Sequence, residues 1–273
     1  MKIVNEIEIN SALQSLKHQG FYIFENVFPE ALMNEYSEIL HNSISVAEKV
    51  QIQNGVEVGI SGIAHHLLAY DNTKISLLLA MIQNFDLFMR RFFNSKYVLN
   101  SYSGISLKKD RDNYSVNVHK DVRTFSGDIN MMLNSLIMLD DFTVENGATY
   151  LLAGSHLKNE RPDNDFFFAN AKRAVAKKGS IVFWDSKLWH ASGTNLTDHK
   201  RECITFMFSR PFLKPAFDYI NLFESSEIKK MSEELRQVLG YYSRIPRTLE
   251  DFYQPKDSRF YRFDQEMELN HKL

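Results

Sequence analysis

Cysteine is almost absent: Cys203 is the only one in 273 residues. A lone thiol closes no intrachain disulfide, and it cannot supply the cysteine cluster of a structural zinc or an iron–sulfur centre. A reducing, cytoplasmic setting is expected. An excess of charge of one sign is also missing. Lys and Arg number 32 against 34 Asp and Glu, a net charge of −2. That balance argues against a general polyanion binder, so no nucleic-acid partner is expected. The one basic knot, "LKKDR" at 107–111, contains an acid and reads as a solvated loop. No run approaches the ~18 apolar residues of a membrane span. The opening "MKIVNEIEIN" lacks the apolar stretch of a secretory signal. Neither repeats nor a Pro-, Gly- or Ser-rich linker divides the chain, so 1–273 is expected to form one domain.

Aromatic residues, by contrast, are plentiful: 21 Phe, 12 Tyr and 2 Trp in a chain that is 44% hydrophobic. Such a chain can bury a sizeable core and line a pocket with rings. Its texture changes twice. Residues 1–96 read mainly helical. "SALQSLKHQG" starts with Ser11 and ends at Gly20, "FYIF" is a short strand, and Pro29 opens a helix with Leu32, Tyr36, Ile39 and Leu40 on one face. A further helix is expected from about Ile75 to Phe93. Residues 97–213 carry short alternating runs between turn residues, the pattern of a β sandwich or barrel. Residues 214–273 return to helix, with "SSEIKKMSEELRQVLG" read as one helix beginning at a serine cap and "RTLEDFYQP" as a last short one. The expected class is therefore α+β with a mainly β core.

Within the β region, "VNVHKDVRTF" (116–125) alternates like a strand but has a polar face of Asn117, His119 and Asp121. Residues i and i+2 of a strand lie side by side, so His119 and Asp121 can reach one metal ion from a single segment. A third ligand must come from elsewhere. Among the histidines of the β region, His156 sits in a loop-like "AGSHL" and His199 in an exposed-looking "TDHKR". His190, in "FWDSKLWHASGTN", stands at the edge of a strand-like run and is the favoured partner. Two histidines and one carboxylate make the facial triad of non-haem Fe(II) oxygenases, which leaves coordination positions open for cosubstrate and dioxygen. Arg201 stands eleven residues after His190, and Ser192 two after it. A guanidinium binds a carboxylate bidentately and stays charged. With a nearby hydroxyl it suits the far carboxylate of 2-oxoglutarate.

The run from His119 to Pro211 resembles the phytanoyl-CoA dioxygenase family of Fe(II)/2-oxoglutarate-dependent oxygenases. The shared pattern is H-x-D, a turn like "ENGATYLLAGSH" (145–156), a distal H-x-S and an arginine eleven residues after that histidine. This chain matches at His119, Asp121, His190, Ser192 and Arg201. "LKHQGFYIFENVFPEAL" and "GYYSRIPRTLEDFY" are similar to flanking segments of the family, so the resemblance covers nearly the whole chain. It implies a double-stranded β-helix (jelly-roll, cupin-like) core with flanking N- and C-terminal helices. It also implies Fe(II) as cofactor, with 2-oxoglutarate and O2 as cosubstrates. Asp121 is retained where related halogenases carry a small residue, which disfavours halogenation. The expected reaction is hydroxylation of a small organic substrate with release of succinate and CO2, with desaturation, epoxidation or ring closure as alternatives.

Other residues have weaker claims. Asn117 shares the polar face. Ser106 and Lys108, on a preceding strand, and Thr149 are further candidates for contact with cosubstrate. His156 reads as structural, Trp184 and Trp189 as core or pocket wall, and Asp185 as a solvated loop acid. His65 and His66 read as packing residues that could approach a substrate. The stretch 156–173 reads as a long connection or a flap over the site. Two other functions fit a jelly roll: a binding protein with a vestigial or structural metal, and a metal-dependent isomerase or epimerase, which needs neither Arg201 nor oxygen.

Overall fold

The structure is a computed structural model that describes residues 1–56, 62–109, 114–124 and 126–265. Helix α1 (Glu6–His18) starts earlier than Ser11, because the Asn5 side chain accepts from Glu8 N–H and caps it. Ser11 sits inside the helix with its hydroxyl donating to the Ile7 carbonyl. The helix closes through Gly20, at φ +86°, where a Cβ would come within 2.5 Å of His156 Nδ1. Strand β1 (Phe21–Phe24) follows directly. Helix α2 (Glu30–Gln53) starts behind Pro29 and buries Met33, Tyr36, Leu40, Ser43 and Ala47. This stripe is rotated slightly from the expected one, leaving Leu32 and Ile39 at its margin.

After β2 (Ile63–Ala64) comes α3 (Ser76–Phe93), which buries Leu77, Met81, Phe85, Phe88 and Phe92. The β region then supplies β3 (Val98–Leu107), β4 (Met132–Met138) and β5 (Tyr150–Leu151). Helix α4 (Asn164–Asn170) interrupts it, so the 156–173 connection is partly helical, with Phe167 buried. Strands β6 (Lys172–Arg173), β7 (Ile181–Asp185), β8 (His190–Ala191) and β9 (Arg201–Ser209) complete the set. The tail forms α5 (Ser225–Ile228), α6 (Glu233–Val238) and α7 (Leu249–Phe252). The expected single tail helix is broken in two, because Ser232 caps a new start by accepting from Leu235 N–H. None of the described helices is long and apolar enough to cross a membrane.

Two antiparallel sheets form the α+β jelly roll. The larger has the order β1-β7-β4-β9-β3-β2, and the smaller β6-β5-β8. The two short strands from the N-terminal third thus close both edges of the large sheet. That sheet is buried on both faces. Its outer face, including Phe24, Tyr102, Phe183, Phe206 and Phe208, packs on α1, α2 and α3 in the main core. Phe24, Phe85, Phe88 and Phe183 meet edge to face at 5.0–5.9 Å, a geometry favoured by ring quadrupoles. The inner face meets the small sheet through Leu136, Met138, Leu151, Val182 and Cys203.

A buried carboxylate fastens helix to sheet. Glu202, 1% exposed, accepts from Ser37 of α2, from Ser106 Oγ at 2.7 Å and lies 2.6 Å from His41 Nε2. The charge is held by these partners and by the Lys200 ammonium 3.2 Å away rather than left bare, as burial demands.

Gly179 leads into β7 at φ +80°, and a Cβ there would lie 2.2 Å from the Phe28 carbonyl oxygen. Left-handed backbone costs a non-glycine residue about 1–2 kcal/mol before any clash. Gly179→Ala should therefore lower the melting temperature by several degrees, at about 2–4 °C per kcal/mol. A thermal scan matching the wild type would contradict this.

Candidate metal centre

His119 and Asp121 do not lie on a regular strand. A 3-10 turn (Tyr114–Val116) precedes them, and pairing is confined to one bridge, His119 to His190. Across that bridge the two backbones exchange hydrogen bonds of 3.0 and 2.9 Å. Asp121 N–H and Val122 N–H then both donate to the Ser186 carbonyl, each at 3.1 Å. The segment stays extended, so the expected side-by-side placement of His119 and Asp121 holds without a ladder.

One ligand atom from each of His119, Asp121 and His190 falls within 4.8 Å of the others, a group able to hold a metal ion. His119 Nε2 is 3.8 Å from Asp121 Oδ1, and His190 Nε2 is 3.5 Å from Oδ2. The tautomers follow from the surroundings. His119 Nδ1 lies 2.7 Å from the Asn117 carbonyl, and His190 Nδ1 lies 2.9 Å from the Leu188 carbonyl. A carbonyl only accepts, so each Nδ1 carries the proton and each Nε2 presents its lone pair to the cluster. Burial pulls His190 below the usual imidazole value, although the Asp121 carboxylate opposes this.

Asn134, absent from the sequence expectations, completes the carboxylate's environment. Its Nδ2 donates to Asp121 Oδ2, and its Oδ1 accepts from Ser186 Oγ at 2.7 Å. Ser186 thereby fixes which way the amide points. Its only signal in the sequence is a polar residue on the inward-facing register of β4, opposite Trp184.

The cluster opens into a cavity of about 160 Å³. Arg201 lines the same cavity and is 2% exposed. Its Nη2 donates to Ser192 Oγ at 3.1 Å, and its guanidinium stacks 4.5 Å from the Phe142 ring centroid. Nε and Nη1 are buried with no hydrogen-bond partner. Burial lowers the guanidinium's pKa, with Arg173 adding to the effect. Thr149 and Cys203 also line it. Burial pushes the Cys203 thiol up to about 11.

Several expected site residues lie elsewhere. On β3 the cavity side belongs to Ser101, Ser103 and Ile105. Ser106 therefore points the opposite way, into the Glu202 cluster under α2. Lys108 shares that parity, follows the strand's end and is exposed. Asn117 is exposed and contributes its backbone carbonyl, not a cavity-lining side chain. Asp185 is no solvated acid: it is 3% exposed, accepts from Lys187 N–H at 2.8 Å and lies 3.7 Å from Lys187 Nζ. His156 is buried beside Gly20, its Nε2 3.3 Å from the Lys17 carbonyl. His65 lines the mouth of the cavity, with Nδ1 3.2 Å from Ser103 Oγ, while His66 stacks on Phe217. Trp184 forms cavity wall, its ring 5.3 Å from that of His190.

Comparison with known proteins agrees with this arrangement. The family model for phytanoyl-CoA dioxygenase matches residues 16–203, a span that includes the cluster and Arg201. The chain belongs to the phytanoyl-CoA dioxygenase family and is a non-haem Fe(II)/2-oxoglutarate-dependent oxygenase. The Mycobacterium tuberculosis protein Rv1501 is 28% identical over 275 residues, covering 97% of this chain and 98% of that protein. Dioxygenase sphC of Aspergillus fumigatus is 32% identical over 116 residues, covering 42% of this chain and 31% of that one. Among solved structures, EctD from S. alaskensis with bound Fe shares the fold. Its TM-score is 0.61 at 15% identity, over 78% of this chain and 80% of that one.

Partners that orient a ligand carboxylate typically change metal affinity about 10- to 100-fold when removed. Asn134→Ala should weaken Co(II) binding by about tenfold or more while far-ultraviolet circular dichroism stays unchanged. Calorimetric titration with Co(II) measures this, and an unaltered affinity would remove Asn134 from the site.

Proposed function

We propose that this protein is a hydroxylase: it oxidises a C–H bond of a small organic substrate and converts 2-oxoglutarate to succinate and CO2. One observation carries the reading. A His-Asp-His cluster and a buried arginine with two unpartnered nitrogens line one cavity. A buried guanidinium lacking a counter-charge is costly and calls for an anion. A dicarboxylate with a chelating keto-acid end satisfies both at once.

His119, Asp121 and His190 would hold Fe(II), one face of which stays open. Arg201 and Ser192 would grip the far carboxylate of 2-oxoglutarate, with Thr149 beside them. When bound, iron with its keto acid and dioxygen supplies the oxidising chemistry. The residues supply geometry. Asn134 and Ser186 hold the Asp121 carboxylate, and the Asn117 and Leu188 carbonyls hold the two imidazoles in their metal-binding tautomers. Trp184, Leu136 and Ile105 present apolar wall that excludes water. Toward the mouth, Ser101 and Ser103, 3.3 Å apart, and His65 offer hydroxyls and an imidazole that burial keeps below its usual pKa. Arg201 is the only arginine or lysine among the described cavity-lining residues, and the cosubstrate would take its charge, so the part of the substrate beside the metal is uncharged.

Anaerobic titration of the Fe(II)-loaded protein with 2-oxoglutarate should produce the charge-transfer absorption of a chelated keto acid. Arg201→Ala removes charged hydrogen bonds worth about 1.5–3 kcal/mol. The apparent affinity for 2-oxoglutarate should fall by about tenfold to a hundredfold. Equal affinity in wild type and variant would place the far carboxylate elsewhere. Asp121→Gly should abolish oxygen-dependent succinate formation. Mass spectrometry of the product checks hydroxylation: a gain of one oxygen supports it, whereas an isomer or a loss of two hydrogens would overturn it.

A further inference from the structure

A second groove shares His119 with the metal cavity. His119, Lys120, Arg123, Asn159, Arg161 and Trp189 line it. Its described lining contains three cationic side chains and no carboxylate. Lys120 is 7% exposed. Its Nζ donates to Asn159 Oδ1 at 3.3 Å and lies 5.4 Å from the centroid of the Trp189 ring. Both neighbours are formally neutral, and among the described residues the buried ammonium has no ion-pair partner. Arg161 donates to the neutral Asn164 Oδ1 at 3.1 Å. Arg123 is exposed and makes no ion pair among the described residues.

Position gives this groove its meaning. Lys120 lies between the cluster residues His119 and Asp121, and in an extended chain its side chain takes the other face. Trp189 stands in the same relation to His190. The groove and the metal cavity are therefore two sides of the same two segments, those joined by the His119–His190 bridge. An anion bound between Lys120 and the two guanidinium forks would sit one residue away from the metal along both chains. Guanidinium pairs match the geometry of carboxylate and phosphate.

We propose that this groove binds a carboxylate or phosphate group and that the group is the anionic end of the substrate, whose uncharged reactive part lies in the metal cavity. The assignment to substrate rests on the oxygenase reading; the anion site itself does not.

The first probe is inorganic phosphate added to the metal-free protein, against chloride at matched ionic strength. Phosphate should raise the melting temperature of the wild type and leave that of the double variant Arg123→Gln/Arg161→Gln unmoved. Both substitutions lie at the surface, so circular dichroism should confirm an intact fold. No phosphate-specific shift in the wild type, or the same shift in the variant, overturns the site. The second arm uses Fe(II)-loaded protein, 2-oxoglutarate and a panel of carboxylic acids with their methyl esters, followed by succinate release. Acids should stimulate more than their esters, and the double variant should raise KM for acids about tenfold with kcat kept. Phosphate altering uncoupled succinate release while esters match acids would make the groove an effector site and overturn its assignment to substrate. Loss of the charge-transfer band with the phosphate shift intact would fail the oxygenase reading alone and leave the anion site standing.

Discussion

Two backbone hydrogen bonds between His119 and His190 hold the site together. They join an irregular segment to a two-residue strand that could not pair stably alone. Because they link the very residues that bear the imidazoles, ligand spacing is set by main-chain geometry rather than by flexible side chains. Ser186 extends the same logic. Its carbonyl takes the Asp121 and Val122 amides, and its hydroxyl orients the Asn134 amide toward the Asp121 carboxylate. All three ligands thus depend on the short turn between β7 and β8.

Alternation on one strand then separates two tasks. Arg201 points into the cavity and the adjacent Glu202 points out to α2, and each is about fully buried. Glu202 is saturated with donors from Ser37, Ser106 and His41, whereas Arg201 keeps two nitrogens without partners. The contrast is chemical. The Glu202 charge is satisfied within the fold, and the Arg201 charge is left with open donors.

The cluster was legible because metal ligands must be of a few residue types at spacings the backbone can bring together. H-x-D, a distal histidine and an arginine eleven residues on survive as a pattern even though the first pair sits outside a regular strand. What was not legible depended on parity and on long-range contact. Ser106 and Lys108 were candidates for cosubstrate contact, but Ser106 has the parity of β3 that turns to Glu202 and Lys108 follows the strand's end; the strand's pairing shifts register between Leu99 and Ser101. A slip of one residue exchanges the two faces of a strand. Asn134 sits in "NSLIML" among apolar neighbours, and nothing local marks it as a partner of Asp121. Asp185, with Lys187 two residues on, reads as a polar turn, and its burial arises only when α1 and the 156 loop close over it. The tail helix was likewise read as continuous because Ser232 looks like a helix-surface serine until its hydroxyl is seen capping.

The scarcity of cysteine has a chemical sequel. The only thiol lines the cavity beside Arg201, within reach of whatever oxidant is generated there. Sulfur is attacked mainly as thiolate, and burial holds Cys203 protonated far above neutral pH. The residue contributes a small, soft, apolar surface without offering a nucleophile. A thiol in the wall of an oxygenase's cavity is thereby kept in its least reactive form, which favours survival of the catalyst over many turnovers.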